Sequence, residues 1–383
     1  MNKLTKYMLR IAVFLYVALG LPVPILAVLL LAQAETAQGR MCALSAILLF
    51  LAPVLCWCAV SIKRRKLYAV AAALLVSSLA MLVASYVMTP DGKALTGSNA
   101  DSVFTGEMSY RRASLANLVP EIDQLKLGSY AVPWMDPLID KARAIRIRRL
   151  FMAVYREMQQ SDEFNKLGSV MNHVYRDLFL DSRPAGHLYQ YIPTTKGNGG
   201  KPPVILFLHG SLGNFKGYLW TWKRFADENG YAIVAPSFGA GNWYREGGVE
   251  AIEMARQYCL HHPRMDGSKI YLAGLSNGGT GVTRAVATNG AAYAGFILIS
   301  AVIEPEVIST PQFLDGCKGR RVLVLHGADD ERIPAKHVEP SVDYLLHQGV
   351  DVKAMFYPDE DHFLLFSKPD LIRSEIASWL AHE

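Results

Sequence analysis

Apolar residues crowd the first quarter of this chain, and that crowding limits its fold more than any other feature. Residues 9–32 are almost wholly apolar, broken by Gly20, Pro22 and Pro24, and residues 41–60 and 67–88 form two further runs. Each approaches the roughly 20 residues that a bilayer-spanning helix needs. In lipid a lone segment must satisfy its own backbone polar groups, so such runs fold as helices. A cleaved signal peptide is the competing reading of the first run, but its apolar part is too long and two more runs follow. The expectation is three transmembrane helices, at about 9–32, 41–60 and 67–88.

Cation placement orients them. Lys3, Lys6 and Arg10 make up the N-terminal flank, Arg40 alone lies in the first loop, Lys63, Arg64, Arg65 and Lys66 fill the second, and Lys93 alone follows the third. This alternation places the N-terminus in the cytoplasm. Three spans then put everything after Met88 outside it, in the periplasm if the cell is bacterial. The membrane flanks contribute to the net charge of +5, which therefore says little about a substrate. No cofactor, metal or nucleic-acid partner is expected, and oligomeric state is left open.

Of the five cysteines, Cys42, Cys56 and Cys58 fall in the second run, and Cys259 and Cys317 are the only two beyond it. Sequence does not decide whether those two pair. His261-His262, before Pro263, reads as a helix end rather than a ligand pair.

Residues 89–184 read as a connector, first loop-like and then helical. Leu138, Ala142, Ile145, Phe151, Val154 and Met158 recur at helical spacing among Lys141, Arg143, Arg146, Arg148, Arg149 and Arg156. Such a helix either lies on anionic headgroups or gathers an anionic substrate, or packs on the next domain with a solvated basic face, which is the favoured reading. Residues 164–178 look helical too. The connector is the candidate cap over any active site.

From about residue 185 to 383, short apolar strands alternate with helices, the mark of a parallel sheet with crossover helices. Strands are expected at 187–192, 204–208, 231–235, up to 274, 295–299, 321–325 and 352–357. A polar turn is expected at 194–203.

The strand ending at Gly274 leads into Gly274-Leu275-Ser276-Asn277-Gly278, with a helix after it. A serine hydroxyl is a weak nucleophile, so it must be exposed, given a base and faced with amide donors for the developing oxyanion. A sharp strand-to-helix turn exposes the serine, and glycines two residues either side remove collisions there. Two further patterns sit at strand ends. His209-Gly210-Ser211-Leu212-Gly213-Asn214 follows an early strand; His326-Gly327, Asp330 and Ile333-Pro334 follow a late one, with His362 after the last.

On those three matches, in the order serine, aspartate, histidine, residues 185–383 resemble an α/β-hydrolase, of the serine esterase or prolyl oligopeptidase kind. The resemblance covers none of the membrane segment. It implies that Ser276 is the nucleophile, His362 the base and Asp330 the acid orienting it, with an oxyanion hole from the amides of Asn277 and Ser211. Leu212 is the less favoured donor. Asp330 is preferred over Asp329 because it lies three before Ile333-Pro334; Glu304 is the remaining rival. His362 lacks the glycine often found before this histidine.

Trp243 and Tyr244, in the loop after the strand at 231–235, either line the substrate pocket or plug the core. The short stretch between 299 and 321 has no room for a cap. The leading expectation is a membrane-anchored hydrolase of carboxylic esters, small-molecule or lipid, in contact with membrane lipids. A serine peptidase of prolyl oligopeptidase type and an acyltransferase on an envelope lipid or glycan are alternatives, and a non-catalytic scaffold is the reading outside enzymes.

Overall fold

A computed structural model describes residues 3–105, 108–182, 185–194 and 200–382, so part of the turn expected at 194–203 lies outside the described residues. The chain forms two compact units, one of residues 1–90 and 111–135 and the other of 91–110 and 136–383. The stretch 89–184, expected to be one connector, is thus divided between both units.

The first unit is helical. Ala37–Ile62 and Lys66–Met88 are each long and apolar enough to cross a membrane. The first apolar run is not one straight helix: Ile11–Gly20 and Pro22–Gln33 meet at a 41° bend, giving a third span only if the pair counts as one. The cause is local, since proline at 22 and 24 withholds amide donors from the preceding turn. Ala37–Ile62 starts on Thr36, whose hydroxyl accepts from the Gly39 amide at 2.9 Å. It is tied to Lys66–Met88 by Ser45 and Ser78, each hydroxyl donating to the other's carbonyl at 2.9 Å. The connector contributes Glu121–Met135, whose Asp123 accepts the Glu35 amide at 2.6 Å.

The second unit is built on an eight-stranded sheet of β1 (Ala100–Phe104), β2 (His187–Tyr191), β3 (Pro203–Leu208), β4 (Ala232–Pro236), β5 (Asp266–Leu275), β6 (Gly295–Ile299), β7 (Arg321–Gly327) and β8 (Asp351–Tyr357). The order is β1-β2-β4-β3-β5-β6-β7-β8. β1 pairs antiparallel with β2, β2 pairs antiparallel with β4, and the other pairings are parallel. This is the α/β-hydrolase arrangement. β1 lies where only loop was expected; five residues with Asp101 and Ser102 among them carry no apolar run, and pairing with β2 supplies the order.

β3, β5, β6 and β7 are covered on both faces, which is why each reads as a continuous apolar run. Their side chains pack with Ile252, Ala255, Val282, Val286, Val338 and Val342 of the crossover helices into the main core. After β3 the chain crosses to β4 on one side and then to β5 on the other. The loops leaving β3 and β5 therefore face each other at the reversal of strand order, where open α/β sheets hold their ligands. Cys259 and Cys317 are both buried and unpaired, and burial pushes each thiol up to about 12.

Candidate active site

β5 ends at Leu275, and Ser276 takes a left-handed φ of 53° before the helix Gly278–Asn289 begins. The glycines around it are sterically required. A Cβ at Gly274 would lie 2.6 Å from the Gly278 carbonyl carbon, and one at Gly278 would lie 2.2 Å from the Leu208 oxygen. The Ser276 carbonyl accepts from the amides of Gly279 at 2.9 Å and Val302 at 3.0 Å, which offsets the strain of its backbone.

Asp330 leaves β7 and His362 follows β8, and the two side chains converge on the serine. His362 Nδ1 lies 2.7 Å from Asp330 Oδ2, and His362 Nε2 lies 2.9 Å from Ser276 Oγ. A carboxylate only accepts, so Nδ1 carries the proton and Nε2 is left to accept from the serine hydroxyl. Burial alone would push the Asp330 carboxyl up, but the His362 hydrogen bond and charge, the Ile333 amide and the charge of His326 together hold it below the usual range. Its other oxygen, Oδ1, accepts from the amides of Arg332 at 2.8 Å and Ile333 at 2.9 Å.

The rivals are occupied elsewhere. Asp329 is exposed, and it is Asp330 that His362 Nδ1 meets. Glu304 receives Arg284 through two hydrogen bonds of 2.8 Å. His209 is fully buried; its Nδ1 donates to the Gly210 carbonyl at 2.8 Å and its Nε2 accepts the Phe238 amide at 3.1 Å. Burial lowers its pKa to about 4. His326 Nε2 donates to the Ile333 carbonyl at 2.7 Å, bracing the loop of Asp330.

Ser211 and Asn277 face each other across the strand-order reversal, the Asn277 amide group donating to Ser211 Oγ at 2.8 Å. Leu212 donates its own amide to the Ala240 carbonyl at 3.0 Å, which removes it as the substitute donor.

Trp243 is corrected from a pocket wall to a plug. It is 1% exposed, packs in the main core and donates its indole N–H to the His209 carbonyl at 2.8 Å. A ring that large is driven inward by its apolar area once its one N–H has an acceptor. Tyr244 is 52% exposed, its carbonyl held by Arg284 of the helix after Ser276 at 3.0 Å. Leu212, next to Ser211 in the chain, is exposed too.

Asp177 and the pairing of the helix Lys141–Met158 with loop residues beside Asp330 and His362 were not expected from the sequence. Asp177 Oδ2 accepts the Ala240 amide at 2.8 Å and so fixes the segment that holds Leu212. The basic helix packs on this unit through Ala144, Ile147, Met152, Tyr155 and Met158, as the favoured reading expected. Neither carries a sequence signal, because each acts by contact across dozens of residues.

Residues 306–382 match the profile of the prolyl oligopeptidase family. The chain is 24% identical over 220 residues to dipeptidyl-peptidase 5 of Porphyromonas gingivalis, an alignment spanning 45% of this chain and 32% of that protein. It therefore spans about a third of the length of the curated relative it matches. Among solved structures, Est1E from Butyrivibrio proteoclasticus is similar at TM-score 0.41 and 18% identity, over 51% of this chain and 94% of that one. S-formylglutathione hydrolase FrmB from Staphylococcus aureus is similar at TM-score 0.42 and 19% identity, over 50% and 91%. The profile match thus takes in the C-terminal strands and helices that carry Asp330 and His362.

Proposed function

We propose that this is a membrane-anchored serine esterase in which Ser276, His362 and Asp330 act as nucleophile, base and orienting acid. The observation that carries the reading is the pair of contacts on one imidazole, 2.9 Å to Ser276 Oγ and 2.7 Å to Asp330 Oδ2. Ser276 Oγ attacks the acyl carbonyl while His362 Nε2 takes its proton, and the amides of Ser211 and Asn277 meet the oxyanion. Collapse of the tetrahedral intermediate breaks the bond to the alkoxy oxygen, and His362 returns the proton to that oxygen. Water, deprotonated by the same imidazole, then hydrolyses the acyl-enzyme.

Leu212 supports an apolar acyl group, since it is exposed next to the proposed oxyanion donor Ser211. A peptidase is the second reading, favoured by the family match over 306–382. The apolar helices support anchoring; with the bent pair as one span, the cation placement puts the N-terminus in the cytoplasm and the hydrolase unit outside, so the substrate is sought among extracytoplasmic esters, including those of membrane lipids.

A fluorophosphonate probe is expected to label the wild-type chain and not Ser276→Ala; a folded wild-type preparation that stays unlabelled refutes the enzyme reading. Turnover of short-chain aryl esters above aminoacyl and prolyl amides supports the esterase, and the reverse order overturns it in favour of the peptidase. Protease treatment of intact spheroplasts should digest the hydrolase unit, and a protected C-terminal unit refutes the orientation.

A further inference from the structure

We propose that the stretch 136–151 is a strap that positions Asp330 and His362 together, with Arg146 and Arg143 as its positioning residues; this rests on the triad reading above. The strap grips the residues next to each triad member. On the acid loop, Asp136 binds the Arg332 side chain and Arg143 Nη2 donates to Glu331 Oε1 at 2.5 Å. On the histidine loop, Arg146 donates to Asp361 Oδ2 at 2.5 Å, and the Phe151 ring packs edge-on against Phe363, with centroids 6.3 Å apart. Phe363 in turn stands edge-on to the His362 ring at 5.8 Å.

The gripped residues also organise their loops. The Arg332 amide donates to Asp330 Oδ1 at 2.8 Å, while its side chain is held by the strap. Asp361 Oδ1 accepts the Phe363 amide at 3.0 Å, while Oδ2 takes Arg146. One carboxylate thus closes the turn around His362 with one oxygen and is anchored with the other. The two triad loops come from different strands, β7 and β8, and the strap joins them through side chains about 200 residues away in sequence.

Strap pairs of this kind suit positioning better than stability. Arg143 and Glu331 are 41% and 52% exposed and Arg146 is 44% exposed, so each pair adds little to folding and is screened by salt. A misplacement of about 1 Å at a reacting group, by contrast, can cost about 10²-fold in rate.

The test uses the full chain in detergent with a short aryl ester. Arg146→Gln should lower kcat on the order of tenfold while KM changes by less than about twofold and Tm by less than about 2 °C. Arg146→Lys, which keeps the ion pair, should recover most of the loss. Raising sodium chloride from about 0.05 to 0.5 M should depress kcat of the wild type and leave Arg146→Gln unchanged. Arg143→Gln, at the other loop, should repeat the pattern and serves if the first variant misfolds. Wild-type kcat in both glutamine variants overturns the strap, as does a loss that follows Tm and is not recovered by lysine. Ser276→Ala separates the two layers: if it is inactive while both variants are wild-type, the strap alone fails; if it is active, the triad reading fails.

Discussion

Replacing Asp330 by asparagine tests the proposed triad through hydrogen-bond direction alone. Asp330 Oδ1 accepts two backbone amides, from Arg332 and Ile333, and Oδ2 accepts His362 Nδ1. In Asp330→Asn the oxygen must stay on the two amides, because turning the NH2 toward them faces donor with donor twice. At about 1–3 kcal/mol for each buried group left unsatisfied, that turn costs about 2–6 kcal/mol. The NH2 therefore faces His362 Nδ1, which must become the acceptor, and Nε2 then presents a proton to Ser276. The base is held in the wrong tautomer, and catalysis needs the disfavoured turn. At about 1.4 kcal/mol per tenfold, kcat/KM should fall by between about 30-fold and about 20,000-fold, with the fold intact. Steady-state hydrolysis of an aryl ester and the rate of fluorophosphonate labelling both report it. A variant that loses less than about tenfold refutes the reasoning, for it would mean that His362 does not need this acceptor.

Three further outcomes follow from the geometry. His209 is fully buried with a pKa near 4, below the ordinary value of about 6.5, so its neutral form is the folded one. The unfolded chain binds the extra proton, so this contribution, about 3 kcal/mol, is complete above about pH 6.5 and is lost as pH falls toward 4; chemical denaturation showing no weakening across that window contradicts it. Gly278→Ala would place its Cβ 2.2 Å from the Leu208 carbonyl oxygen, backbone against backbone, so it should lower stability by about 1–3 kcal/mol and cut activity on the order of 100-fold; a fully active variant shows that the turn yields. Glu304→Gln should weaken the pairing with Arg284 and cost stability of about 1 kcal/mol, yet change kcat/KM by less than about threefold, and a collapse of activity would move the acid from Asp330 to Glu304.

The places of the strands from β2 on and the serine turn were written in the sequence because both rest on local, short-range physics. A strand buried on both faces must be apolar throughout, as 204–208 and 295–299 are, and a turn as tight as that at Ser276 admits only glycine at 274 and 278. Position in such a sheet then places strand-end residues at one rim, which is why Ser276, Asp330 and His362 could be singled out. Tertiary structure decided the rest. It sent residues 111–135 to the helical unit and 91–110 to the sheet, and turned Trp243 inward. It also set Arg143 and Arg146 against the triad loops. A basic helix reads the same whether its cations meet water, lipid or a carboxylate far away in the chain, since a long-range pair between exposed side chains leaves no period or spacing behind; only the folded sheet brings its partner within reach.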